Sequence, residues 1–176
     1  TFEFDLFDIA DFHELKSAMY QDEDRNDIIT KTVIATLWNN KGLVFTEYTE
    51  HAMAVAKSLT ESGIETHILI GEVKADERER IKEYVKNATT PQIIVWSVKI
   101  IGTGFDLPEL SRAYLTTSIR FKWELQQYLG RIIRKHPTKP QPIFYDFTDL
   151  DQPLLASQAK DRYKTYKKVF PMGKTN

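Results

Sequence analysis

From residue 42 onward, short apolar runs alternate with stretches whose apolar residues recur every three or four positions. GLVFTEY (42–48) predicts a buried strand that ends in polar residues. Thr49 to Ser62 predicts a helix, because Ala52, Val55, Ala56 and Leu59 share one face. Thr49 is placed to cap its start and Gly63 to end it. THILI (66–70) predicts a second strand. Asp76 to Ala88 predicts a second helix, with Asp76 and Glu79 spaced as a capping box and Ile81, Tyr84, Val85 and Ala88 as its apolar side. QIIVWS (92–97), RAYLTT (112–117) and PIFYDF (142–147) predict three more strands, and Lys122 to Lys135 a third helix in this run.

Strands apolar on both faces and separated by helices imply a parallel sheet covered on both sides, hence an α/β fold. Function in such folds gathers at the carboxyl ends of the strands. Those ends read Thr46-Glu47-Tyr48, Gly71-Glu72, Ser97-Val98-Lys99 and Thr117-Ser118, short and polar segments suited to phosphate. The flanks read differently. FEFDL (2–6) alternates like an edge strand, and Asp11 to Tyr20 and Arg25 to Trp38 have helical patterns. Beyond residue 150, LLASQAKDRYKTYKKVF is either a basic amphipathic helix or a mobile tail.

Composition narrows this reading. The chain has 176 residues, enough for one domain with a sizeable core and no need of a disulfide or metal. Cysteine is absent, which excludes thiolate zinc sites and cysteine nucleophiles and fits a reducing, cytoplasmic setting. The longest mostly apolar run, Val33 to Trp38, is about six residues, far short of a membrane span. TFEFDLFD lacks the basic region of a signal peptide, and a chain that begins at Thr1 is expected to be a piece of something longer. The net charge of -1 argues against a polybasic binder, but it is a sum of unlike parts. Residues 1–27 hold nine acids against Lys16 and Arg25, a net of -7, whereas residues 112–140 hold seven bases against Glu124, a net of +6.

Several motifs fail. GKT at Gly173–Thr175 lacks the glycine five residues earlier, where Lys168 stands, and has no following helix. Asp22-Glu23-Asp24 follows no apolar strand and reads as a solvated helix start rather than a magnesium box. Gly102-Thr103-Gly104 lacks the third glycine of a dinucleotide fingerprint. His13, His51, His67 and His136 show no ligand spacing, and there is no G-x-S-x-G elbow. Trp96, inside a strand run, reads as core rather than as a base-stacking platform.

Two segments keep their chemistry. On the helix KWELQQYLGRIIRK (122–135), Gln127, Arg131 and Arg134 fall within an arc of about 60°. Leu125, Tyr128, Leu129, Ile132 and Ile133 take the opposite side. Gly130, at the edge of the polar face, lets a backbone or a phosphate approach. Paired arginines offer rigid, permanently charged forks to phosphate oxygens, though a solvated basic face has the same look. The loop SVKIIGTGFDLP (97–108) offers backbone N–H groups to phosphates and Asp106 to a ribose hydroxyl, or serves as a plain connection.

Together these segments resemble superfamily 2 helicases. Gln127, Gly130, Arg131 and Arg134 (Q-x-x-G-R-x-x-R) are similar to motif VI, GTGFDLP (102–108) to motif V, and GLVFTEYTEHA (42–52) to motif IV. Gly71 to Arg78 resembles the G-x6-R segment between them. The spacing is similar to phage-type DNA helicases, XPB-like helicases and restriction-enzyme translocases. DEAD-box RNA helicases have His where Gln127 stands and Gly where Ile133 stands.

The resemblance implies a three-layer RecA-like domain, the second of two, with a mostly parallel sheet and helices on both faces. Its expected extent is residues 25–150, with 1–24 as interdomain linker and 151–176 as a basic tail. The expected partners are an N-terminal RecA-like domain, which carries the P-loop and holds most of the ATP and Mg2+, and DNA rather than RNA. It implies Arg134 as the arginine finger, Arg131 on the same phosphate, and Gln127 orienting nucleotide or water. Asp106 and Gly104 would meet the ribose or the domain interface. Thr46, Ser97, Thr103 and Thr117, with Lys74, would touch the nucleic-acid backbone. Motif V often has Asp where Val98 follows Ser97. Two other readings remain open: a stand-alone parallel α/β binding module, and a degenerate helicase-like scaffold. A receiver-type module would need an acidic cluster at the end of the first strand, and Glu47 alone does not supply it.

Overall fold

The computed structural model describes residues 12–71, 73–97, 107–118, 126, 127, 130 and 139–169. The expected edge strand at 2–6, His136, Gly173–Thr175 and most of the 122–135 helix lie outside them.

Two helices lead in, α1 (Phe12–Gln21) and α2 (Glu23–Leu37). Asp22 caps α2 by accepting from the Arg25 N–H at 2.8 Å, so the acidic triplet is a helix start, as its sequence context predicts. The alternating part follows: β1 (Lys41–Thr46), α3 (Thr49–Glu61), β2 (Glu65–Leu69), α4 (Ala75–Asn87), β3 (Gln92–Ser97), β4 (Arg112–Leu115) and β5 (Ile143–Asp146). The last helix, α5, spans Pro153–Val169.

All five strands are parallel, in the order β2-β3-β1-β4-β5. Side chains alternate across the pleat and feed two cores. Leu43, Phe45, Ile94, Trp96, Ala113 and Leu115 pack with Val85 of α4, with Tyr166 of α5 against them. Val44, Ile93, Val95 and Tyr114 pack with α2 through Ile29, Val33 and Leu37, and with α3 through Ala52, Val55, Ala56 and Leu59. This is the three-layer α/β architecture with helices on both faces. Trp96, only 2% exposed, belongs to the core.

Two caps differ from expectation. Tyr48, not Thr49, occupies the N-cap of α3, and it gives no side-chain bond. Lys74, not Asp76, occupies the N-cap of α4, which places Asp76 inside the first turn. There its charge still opposes the helix dipole, so the acid is favourable without capping. Gly63 does end α3, at φ +82°. Its N–H bonds to Thr60 O at 2.9 Å and that of Ile64 to Leu59 O at 3.0 Å, the paired closure that a left-handed residue permits.

Pro153–Val169 is helical and packed. Leu155 joins Leu15, Met19 and Tyr20 of α1 in a third small core, so the first and last described helices meet. Among the described residues, no helix is long and apolar enough to cross a membrane.

Candidate nucleic-acid interface

Parallel strands bring their carboxyl ends to one edge. The register sets Thr46 of β1 beside Ser97 of β3, and Thr117 follows β4 on the other side of β1. Three of the expected backbone contacts thus lie side by side on adjacent strands. All three are buried. Thr46 Oγ1 donates to Trp96 O at 3.3 Å. Thr117 Oγ1 donates to Glu47 Oε2 at 3.1 Å and lies 2.5 Å from the Tyr20 hydroxyl.

Lys74 is exposed at the start of α4. The loop before it is held by Arg78, which donates from Nε to Val73 O at 2.8 Å and reaches Gly71 O at 3.5 Å. The glycine and arginine of the G-x6-R segment therefore meet. Gln127 and Gly130 are helical and exposed, with open space around Gly130. Thr103, Gly104, Asp106, Arg131 and Arg134 lie outside the described residues.

Charged groups at this edge come from elements the motifs do not include. Glu47 accepts from Lys16 Nζ at 2.5 Å and from the Tyr20 hydroxyl at 3.0 Å. Burial pushes its carboxyl up, but these bonds, the Lys16 charge and Thr117 outweigh it and hold the carboxyl below its ordinary range. Burial, then the charge of Glu47, raises the Tyr20 hydroxyl far above the ordinary tyrosine value, so it stays a donor. Tyr20 also stacks on His51, at 4.8 Å between ring centroids.

Arg25, wholly buried, grips Asp149 with two bonds, Nε to Oδ1 at 2.8 Å and Nη2 to Oδ2 at 3.2 Å. Its Nη2 also donates to Thr116 O at 3.1 Å, fixing the chain where it leaves β4. Arg162 of α5 forks onto Asp146 at 2.9 and 3.0 Å and reaches Ser118 Oγ at 3.4 Å. The ends of β4 and β5 are thereby pinned together. Sequence reading missed Tyr20, Arg25, Asp149 and Arg162. Their residue types are polar or charged but sit in no motif, and their partners lie 16 to 124 positions away.

Chemically, the edge offers hydroxyls and cations that suit phosphate oxygens. Among the described residues, three carboxylates here are already engaged, Glu47 by Lys16, Asp149 by Arg25 and Asp146 by Arg162.

Comparison with known proteins agrees with this geometry. The family described as the helicase conserved C-terminal domain matches residues 24–136. Probable helicase D10 of Escherichia phage T5 is 27% identical over 124 residues, covering 70% of this chain and 27% of that protein. ATP-dependent DNA helicase uvsW of Enterobacteria phage T4 is 26% identical over 145 residues, covering 77% of this chain and 29% of that protein. The crystal structure of T4 UvsW superposes with a TM-score of 0.72 over 90% of this chain and 35% of that one, at 18% identity. The chain thus spans less than a third of these curated relatives. With this family match over most of its length and a parallel sheet of RecA-like topology, the chain belongs to the helicase conserved C-terminal domain family of superfamily 2.

Proposed function

We propose that this chain is the second motor domain of an ATP-dependent helicase or translocase that acts on DNA. The observation that carries this reading is the placement of Ser97, Thr46 and Thr117 at the carboxyl ends of three adjacent strands. Hydroxyls and backbone amides there would hold phosphates and position a strand without reading its sequence.

Arg134 would reach the γ-phosphate of an ATP held by the P-loop of a preceding RecA-like domain. Arg131 would share that phosphate, and Gln127 would orient nucleotide or water. Gly130 would let the phosphate approach, and Gly104 and Asp106 would meet the ribose. Such a finger contributes roughly three to five orders of magnitude in rate. Mg2+ would be held mainly by that preceding domain; among the described residues Glu47, Asp149 and Asp146 already have cationic partners. Thr103 and Lys74 would extend the backbone contacts. The T4 relative uvsW, named as a DNA helicase, supports DNA as the substrate.

The chain alone is expected to show no ATPase. Joined to a P-loop domain it should show DNA-stimulated ATPase, and Arg134→Ala should abolish turnover while leaving DNA binding in place. Strong ATPase in the isolated chain would overturn the reading.

A further inference from the structure

Three polar groups surround one oxygen, Glu47 Oε2: Lys16 Nζ at 2.5 Å, the Tyr20 hydroxyl at 3.0 Å and Thr117 Oγ1 at 3.1 Å; the two hydroxyls, 2.5 Å apart, share one proton between them and leave the other for Glu47. An ammonium and two hydroxyls converging on an anionic oxygen is the arrangement that binds a phosphate oxygen. The donors are fixed in place. Tyr20 is packed with Leu15, Met19 and Leu155, and Thr117 is held by the end of β4. The Lys16 side chain is 10% exposed.

The acceptor is the loosest member. Glu47 lies beyond the end of β1 and its side chain is 23% exposed, the most open of the group. Rotation of that one side chain would carry the carboxylate to water and leave the donors behind. The position is the carboxyl edge between two adjacent strands, where this fold class takes its ligands.

We propose that Lys16, Tyr20 and Thr117 form a phosphate-binding site, that Glu47 fills it as an internal stand-in, and that a nucleic-acid backbone phosphate displaces Glu47. The identity of the displacing ligand rests on the functional reading above; the existence of the site does not. The exchange trades one anion for another, so Lys16 keeps a counter-charge throughout. It also explains how Thr117, buried and fully engaged, serves as a backbone contact once Glu47 has left.

The test uses the whole chain and inorganic phosphate. Glu47→Ala empties the site. Phosphate at about 20 times its dissociation constant, against chloride at matched ionic strength, should raise the Tm of this variant by roughly 4–7 °C. Wild type should respond much less, and Lys16→Met/Glu47→Ala should lose the phosphate-specific rise. If Glu47→Ala does not fold, Glu47→Gln keeps the shape without the charge, and equilibrium dialysis should show phosphate binding at least about tenfold tighter than in wild type. No phosphate-specific effect in either variant, or an effect that survives loss of Lys16, overturns the site. Binding of a twenty-residue oligothymidylate, read by fluorescence polarisation, separates the two claims. A tenfold gain in Glu47→Gln that Lys16→Met removes supports the nucleic-acid ligand. Phosphate binding with unchanged oligonucleotide affinity keeps the site and overturns the assignment of this edge to nucleic acid.

Discussion

Asp149→Ala removes the carboxylate that the Arg25 guanidinium grips. Arg25 is wholly buried and Asp149 is 4% exposed, so water does not replace the lost partner without opening the α2–β4 contact. The variant gives up two charge-assisted bonds and leaves a guanidinium whose Nη1 already lacks a hydrogen-bond partner. Breaking a buried pair from one side costs about 3–5 kcal/mol. That is a large part of the roughly 5–15 kcal/mol that keeps a domain folded. For a chain of this size it corresponds to a Tm lower by about 6–20 °C. Replacing both partners, Arg25→Met with Asp149→Leu, removes the stranded charge. What is left is the donor lost to Thr116 O, about 1 kcal/mol, so the double variant should lie within about 2 kcal/mol of wild type. Urea unfolding of wild type, both single variants and the double variant closes the cycle. A cost for Asp149→Ala below about 1 kcal/mol would refute the argument. So would a double variant as damaged as the two singles combined.

Two further outcomes follow from the same packing. Burial, then the charge of Arg25, lowers the His51 pKa from 6.5 to about 3, so its contribution to stability is complete above pH 6.5 and is lost as pH falls from there towards 3. Proton NMR should show the His51 ring neutral at pH 5, and titration near 6.5 would contradict its burial. Gly42→Ala should cost about 1–3 kcal/mol by denaturant unfolding. A Cβ there would lie 2.7 Å from Ile93 Cδ1, 3.1 Å from Leu37 Cδ1 and 3.3 Å from a Tyr114 ring carbon, and no measurable cost would show that these side chains yield freely.

Periodicity made the repeated part legible because each strand and helix there carries its own burial pattern. QIIVWS is buried at all six positions, and the observed strand has the same limits as the expected one. The caps were less legible. Several neighbouring polar residues could occupy an N-cap, and the chain direction at each strand exit, not side-chain chemistry, selected Tyr48 and Lys74. The alternating pattern implies parallel strands, and so puts Thr46, Ser97 and Thr117 at one edge, but the order β2-β3-β1-β4-β5 that makes their strands neighbours has no signal in it. Tyr20–Thr117 and Arg25–Asp149 join positions 97 and 124 apart, and nothing local marks them.

Charge gives the last step. The N-terminal 27 residues look like a repulsive acidic segment, yet their only two bases are Lys16 and Arg25. Both are spent at one sheet edge, on Glu47 and on Asp149. Arg162, from the opposite end of the chain, takes Asp146. Among the described residues, Glu47, Asp149 and Asp146 thus each have their own cation, and each cation comes from outside the β1–β5 repeat. Coulomb repulsion between a bare, half-buried carboxylate and a phosphate 4 Å away is about 4 kcal/mol at an effective dielectric of 20, enough to defeat a backbone contact. On the proposed reading the flanking helices therefore belong to the electrostatics of this edge, and a version trimmed to β1–β5 would present two uncompensated acids, Glu47 and Asp146, where a polyanion is proposed to lie.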